Sequence, residues 1–310
     1  MSVLEQPPER ALAGRAPSPW DPSARHRFVT SDGTALHVRD SGPVDAEVTL
    51  VQVHGWTQDN TCWDPVVERL TRGVRVLRYD HRGHGASAPA AVGTATIAQL
   101  ADDLAELIAD RASRGRLVLA GHSMGGMTIM ALAERYPELV AERVSGAAFV
   151  ATSSGEMDRL TLGLPGMAAR GVTRGERVLQ TLLEKRRKDV LPGDPKLLSP
   201  ITRWLVFGKR ARQRDVVDVT RQALRAHPAS IAGFRESIRS HDRRVALCAL
   251  RDIRTVVLAG ERDRLCPVTH AQAIADQLPG TDYILYPGAG HMLTYERPRE
   301  VADHLNDLIP

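Results

Sequence analysis

The chain has 310 residues, 43% hydrophobic and 25% charged, with a formal net charge of +4. That is room for one large α/β domain with an insertion, or for two modest domains, at the composition of an ordinary globular protein. Basic residues are dispersed and only 4% of residues are aromatic, too few for base-stacking platforms, so nucleic acid is not an expected partner. No apolar run approaches the roughly 20 residues of a membrane helix, so no membrane partner is expected either.

Acidic residues and prolines occupy the N-terminus where a signal peptide needs a continuous apolar stretch. Cys62, Cys248 and Cys266 are odd in number and show no CxxC spacing, which argues against a disulfide framework or a zinc site. Reduced thiols in the cytoplasm are the expectation. Nothing in the sequence sets an oligomeric state.

Residues 1–24 read as a Pro-rich, poorly ordered tail. Two short extended runs then flank Asp32-Gly33, a hairpin signal. Val48 to Val53 is a β-branched run for a buried strand, ending at His54-Gly55-Trp56-Thr57. Cys62 to Leu70 can form a helix. Val74 to Tyr79 predicts a strand closed by Asp80-His81-Arg82-Gly83-His84-Gly85. Ile97, Leu100, Leu104, Leu107 and Ile108 mark one face of a helix over Thr94 to Arg111. A strand over Leu117 to Ala120, a helix over Met124 to Tyr136 and a strand over Val144 to Val150 follow. Between 151 and 245 strand-like runs vanish and Arg-rich amphipathic stretches replace them. Alternation resumes with a strand at Thr255 to Ala259, a helix at Val268 to Leu278, a strand at Tyr283 to Tyr286 and a helix at Pro298 to Leu308. The pattern is a mostly parallel sheet covered on both faces, over residues 25–150 and 246–310, interrupted by a helical insertion at 151–245.

Gly121-His122-Ser123-Met124-Gly125-Gly126 lies between a predicted strand and a predicted helix, the setting of a nucleophile elbow. So sharp a turn leaves no room for bulky neighbours, and the helix behind it favours developing negative charge. A serine nucleophile needs a base, and the base an orienting acid. Asp263 follows the strand TVVLA, with Glu261 two positions away as a competing carboxylate; His291 follows YILYP on a glycine-rich loop. The expected roles are Ser123 nucleophile, His291 base and Asp263 acid. The expected oxyanion donors are the backbone N–H groups of Met124, after the nucleophile, and Trp56, on the loop after the third strand. His54, Gly55 and His122 would shape the approach to the serine and are candidates for the substrate pocket. Leu164, Trp204 and Met292 are candidates for an acyl or ring pocket. Neither metal-ligand spacing nor a dinucleotide-type glycine pattern is present, so no metal or cofactor is expected.

Taken together, HGWT, DHRGHGAS, GHSMGG, GERD, GAGHM and the ending ERPREVADHLNDLI resemble the α/β-hydrolase superfamily in its serine-nucleophile branch, over about His26 to Ile309 apart from most of the insertion. That branch holds esterases, lactonases, perhydrolase-type haloperoxidases and carbon–carbon bond hydrolases. The resemblance implies the α/β-hydrolase fold, no metal or organic cofactor, and a lid formed by the insertion after the sixth strand. It implies hydrolysis of an ester, thioester or lactone through an acyl-enzyme on Ser123. Haloalkane dehalogenases and epoxide hydrolases of this fold carry aspartate at the elbow, so Ser123 speaks against both. Thr255 stands where many relatives have proline, a minor structural departure. DHRGHG reads mainly as a structural loop beside the cleft.

The insertion holds about 20 Lys+Arg against 10 Asp+Glu, the rest of the chain being net acidic. Such asymmetry could steer an anionic or carrier-bound acyl substrate; the plainer account is a solvated helical face. Two other functions stay open at this level. Cleavage of a carbon–carbon bond next to a ketone uses the same three residues. A ligand-binding, receptor-like protein on the same fold would also keep them.

Overall fold

The computed structural model describes residues 26–71, 73–157, 191 and 193–310. The tail expected over residues 1–24, and Leu164, lie outside the described residues. Eight strands form one sheet: β1 (Arg27–Val29), β2 (Ala35–Ser41), β3 (Val48–Val53), β4 (Arg75–Tyr79), β5 (Arg116–His122), β6 (Val144–Val150), β7 (Arg254–Gly260) and β8 (Asp282–Tyr286). Their spatial order is β1-β2-β4-β3-β5-β6-β7-β8. β2 pairs antiparallel with β1 and β4, and every later pairing is parallel. The parallel strands therefore all deliver their following loops to one edge, where ligands of open α/β sheets bind.

Burial explains why the parallel strands read as continuous apolar runs. Val51, Val53, Leu117, Leu119, Phe149 and Val257 pack on one side of the sheet, whereas Leu50, Val118, Ala120, Val150 and Val256 pack on the other. Strands covered on both faces need no polar alternation. Helix α1 (Asp64–Val67) lies on the second face; α2 (Ile97–Arg111) and α3 (Met124–Arg135) cover the first, and α4 (Pro137–Arg143) leads into β6. The apolar stripe read in the sequence is the buried face of α2, and Thr96 caps it by accepting the Gln99 N–H at 3.1 Å.

Among the described residues between β6 and β7 are three further helices, α5 (Pro195–Val206), α6 (Gln213–Arg225) and α7 (Pro228–Arg239). α7 is fastened to the core: Ser230 Oγ accepts from Ala90 N–H at 3.0 Å and Ser237 Oγ from Ile97 N–H at 2.9 Å. After β7 the chain forms α8 (Val268–Gln277) on the first face, then α9 (Leu293–Glu296) and α10 (Pro298–Leu308) on the second. No helix of the described residues is long and apolar enough to cross a membrane.

One reading needs correction. The single helix expected over Cys62 to Leu70 is a 3₁₀ turn at Asn60–Trp63 followed by the one-turn α1. Pro65 has no N–H to donate and is favoured in the first turn of a helix, where it stands in α1.

Candidate active site

Ser123 sits at φ 53°, ψ −119°, between β5 and α3. An L-residue with its φ in the left-handed region costs about 1–3 kcal/mol, so the turn holds it only because its neighbours determine the conformation. The Ser123 N–H donates to Val150 O at 2.9 Å, and its carbonyl accepts from Thr152 Oγ1 at 2.6 Å. The flanking glycines are a steric requirement: a Cβ on Gly125 would lie 2.2 Å from Val53 O, and one on Gly121 2.5 Å from Gly126 N. The elbow thus presses directly on the end of β3.

The loops that carry Asp263 and His291 leave β7 and β8. His291 Nδ1 and Asp263 Oδ2 are 2.7 Å apart, and both residues are buried. The other carboxylate oxygen, Oδ1, accepts the N–H groups of Leu265 and Cys266, each at 2.8 Å. Asp263 is thereby fixed in rotation as well as position. Glu261, the competing carboxylate, is exposed and accepts from Gly288 N–H at 2.8 Å, away from the imidazole. With Nδ1 engaged, Nε2 is the nitrogen of His291 left to meet a serine. Among the described residues Ser123 Oγ makes no hydrogen bond to it; such bonds are often long before substrate arrives.

On the loop after β3, the Gly55 N–H donates to Gln58 Oε1 at 3.1 Å and the Thr57 N–H to His84 Nε2 at 3.1 Å. Between them, the Trp56 N–H has no protein acceptor among the described residues, and neither has that of Met124 in the first turn of α3. Thr57, at φ 62°, turns this loop. The Trp56 indole reaches the insertion, donating to Ile231 O at 3.0 Å.

The remaining candidates divide by what they touch. His54 is fully buried, with Nε2 accepting from His81 N–H at 2.9 Å and Nδ1 at 2.8 Å from Gly55 O. His122 has Nδ1 2.9 Å from Gln58 Oε1 and Nε2 2.9 Å from the His291 carbonyl. Both rings therefore brace loops and offer no free nitrogen to a substrate, against the expectation that they line the pocket. Gly55 does border the nucleophile, because a Cβ there would lie 3.0 Å from Ser123 Cβ. Met292 is buried and its Sδ accepts from Gln58 Nε2 at 2.9 Å. Trp204 is 45% exposed, with the Arg264 guanidinium 5.3 Å from its ring centroid. It lies on the outside of the insertion.

Desolvation disfavours the charged form of four imidazoles packed around these loops. Burial pushes His84 and His122 down to about 3, and lowers His54 and His81 as well. The His54 and His81 ring centroids lie 4.3 Å apart, so a charge on either would also disfavour one on the other. Asp80 is held at about 2: burial raises it, but His37, His54 and the Ala86 and Asn60 amides outweigh that. Arg82, in the same loop, and Asp103, on α2, form a fully buried pair with bonds of 2.8 and 2.5 Å. DHRGHG is therefore structural, as read.

Burial pushes the Cys62 and Cys266 thiols well up, which leaves them protonated and poor nucleophiles. Asp263, Cys266 and His291 place one ligand atom each within 4.8 Å of one another, a grouping that could hold a metal ion. His291 Nδ1 and Asp263 Oδ2 are already bonded together, and Asp263 Oδ1 is taken by the Leu265 and Cys266 N–H groups. The basic excess of the insertion is partly neutralised where it is described, Arg212 pairing with Asp215, Arg221 with Asp218 and Arg225 with Asp59.

Residues 50–304 match the model of the alpha/beta hydrolase family. The chain belongs to that family. Of the solved structures, an esterase of Thermogutta terrifontis aligns with this alpha/beta hydrolase at a TM-score of 0.72 and 23% identity, over 91% of this chain and 96% of its own. Curated relatives match over shorter stretches. "Probable oxidoreductase EphD" of Mycobacterium tuberculosis is 38% identical over 86 residues, 27% of this chain and 14% of the relative. "Pimeloyl-[acyl-carrier protein] methyl ester esterase" of Nitrosomonas europaea is 39% identical over 74 residues, 24% of this chain and 27% of the relative.

Sequence reasoning missed three residues of this alpha/beta hydrolase. Gln58 joins the β3 loop to His122 and Met292, Thr152 holds the elbow carbonyl, and Glu296 accepts from Gly290 and Gly208. For Glu296 a signal existed, a carboxylate closing the apolar run Met292-Leu293-Thr294-Tyr295. For the others only the folded contacts reveal the role.

Proposed function

We propose that this protein is a serine hydrolase that cleaves a carboxylic ester, thioester or lactone through an acyl-enzyme on Ser123. The observation that carries this reading is the 2.7 Å Asp263–His291 bond beside a serine held at a strained, glycine-flanked elbow. His291 Nε2 takes the Ser123 proton as Oγ attacks the carbonyl carbon, and Asp263 steadies the imidazolium. The Trp56 and Met124 N–H groups receive the oxyanion, each worth about 2.7–4 kcal/mol of the barrier. Collapse of the tetrahedral intermediate expels the alcohol, thiol or ring oxygen, which takes the proton from His291. Water, activated by the same imidazole, then frees the acid and restores the serine.

The helical insertion serves as a lid, a role supported by the Trp56–Ile231 bond that couples it to an oxyanion donor. The substrate is a small molecule with an apolar acyl part, free or carried; the Nitrosomonas relative is named for a carrier-bound ester. Unpaired Cys62, Cys248 and Cys266 support a reducing, cytoplasmic setting.

A fluorophosphonate probe tests the assignment without knowledge of the substrate. The expected result is stoichiometric labelling that maps to the peptide containing Ser123. Labelling elsewhere, or none with folded protein, would sink it.

A further inference from the structure

Glu296 closes the one-turn helix after the base, and no step of the proposed hydrolysis uses it. Its Oε1 accepts the Gly290 N–H, next to His291, at 2.9 Å. Its Oε2 accepts the N–H of Gly208, in the insertion, also at 2.9 Å. Around that carboxylate the two backbones lie against each other. A Cβ on Gly208 would fall 2.1 Å from Gly288 O, and one on Gly290 would fall 2.5 Å from Gly208 N. Gly290 also abuts β7, because a Cβ on Gly260 would lie 2.1 Å from Gly290 O.

Three further bonds run along the same seam. The Lys209 N–H donates to Gly288 O at 2.9 Å, and the N–H groups of His291 and Met292 both donate to Val206 O, at 2.9 and 3.2 Å. The backbone that carries the base is thus hydrogen-bonded to the insertion as well as to its own sheet.

We propose that Glu296 is a positioning residue: its carboxylate pins insertion residues 206–209 to the base loop, so that the placement of His291 depends on that segment being docked. This rests on reading Ser123, Asp263 and His291 as the reacting set. An ionised carboxylate accepts both N–H groups strongly; protonation turns one oxygen into a hydroxyl, a much weaker acceptor whose O–H must find another partner, so the grip loosens. Burial pushes Glu296 up to about 7, against the pull of the Gly290 and Gly208 amides and of Arg297, with Asp263 adding to the rise. Lys209, Arg210 and Glu261 are the other charged groups around the same cleft.

The sign follows from linkage. A carboxyl raised from 4.5 to about 7 binds its proton more tightly folded than unfolded. Its contribution to global stability is complete below the lower value and is lost as pH rises through about 7. The two-amide grip runs the other way and is complete only above that pH.

The test compares wild type with Glu296→Gln between about pH 5.5 and 8.5, a window bracketing the titration. In wild type, the Gly208 and Gly290 amide resonances should shift together with one midpoint near 7, and the His291 ring protons should show an inflection at the same pH. Glu296→Gln should abolish that midpoint. With p-nitrophenyl butyrate it should lower kcat about 10- to 100-fold, the usual effect of a slightly misplaced group, with KM within about twofold. The acid limb of log kcat against pH should also become shallower. Glycine amides that titrate separately, or identically in the variant, overturn the pin; an unchanged kcat overturns the positioning role. If wild type neither labels with fluorophosphonate nor hydrolyses esters, the hydrolytic reading fails, while the three resonances still decide this one. If Glu296→Gln does not fold, the wild-type midpoints decide it.

Discussion

Ser123→Ala should lower ester hydrolysis on the order of a millionfold and abolish fluorophosphonate labelling, because losing the nucleophile costs about as much as losing the whole reacting unit. Ser123→Gly should be equally inactive yet more stable than Ser123→Ala. Alanine keeps a Cβ at φ 53°, whereas glycine adopts that conformation freely. The strain released is about 1–3 kcal/mol. Glycine's extra freedom in the unfolded chain gives back about 0.4–1 kcal/mol. Strain wins, and calorimetry of the two variants should place the glycine variant higher by about 1 kcal/mol. A glycine variant that melts below the alanine one would contradict the account of the elbow.

Asp263→Asn should reduce kcat about 10⁴-fold with little change in KM, as expected when the base is left in the wrong tautomer. The geometry specifies how. The Leu265 and Cys266 N–H groups both point at Oδ1, so the carbonyl oxygen of the asparagine must take that place. Its NH₂ then faces His291 Nδ1, which must act as acceptor and leave the proton on Nε2. An imidazole protonated there cannot receive the serine proton. Steady-state kinetics at saturating p-nitrophenyl ester checks this, and a loss under tenfold would remove Asp263 from its assigned role.

Much of this could be read from the sequence because the relevant physics is local. The elbow needs small residues on both sides of Ser123, and those glycines stand in the chain beside it. Parallel strands buried on both faces must be apolar throughout, so VTLVQV and TVVLA declare themselves. Asp263 was legible because it closely follows such a strand, and His291 because it stands on the glycine-rich loop after the last strand. The rest depends on partners far apart in the chain. Gln58 meets Met292 across 234 positions and His122 across 64, and no periodicity announces either contact. His54 and His122 look like substrate contacts by position alone; only the fold shows that both nitrogens of each ring face protein groups. The stretch after Asn60 was misread because apolar spacing suggested one helix, while Pro65 decides where a helix can begin.

The four neutral imidazoles beneath the elbow and its neighbouring loops have a consequence for acid tolerance. In the unfolded chain each takes a proton near pH 6.5, and His84 and His122 refuse it when folded until about pH 3. Over that interval each of these two rings withdraws about 1.4 kcal/mol of stability per pH unit as acidity rises. Souring the solution therefore erodes the floor under Ser123 and the Trp56 and Met124 amides. Circular dichroism and turnover should fade together at the acidic extreme; retained native ellipticity with lost turnover would contradict this account.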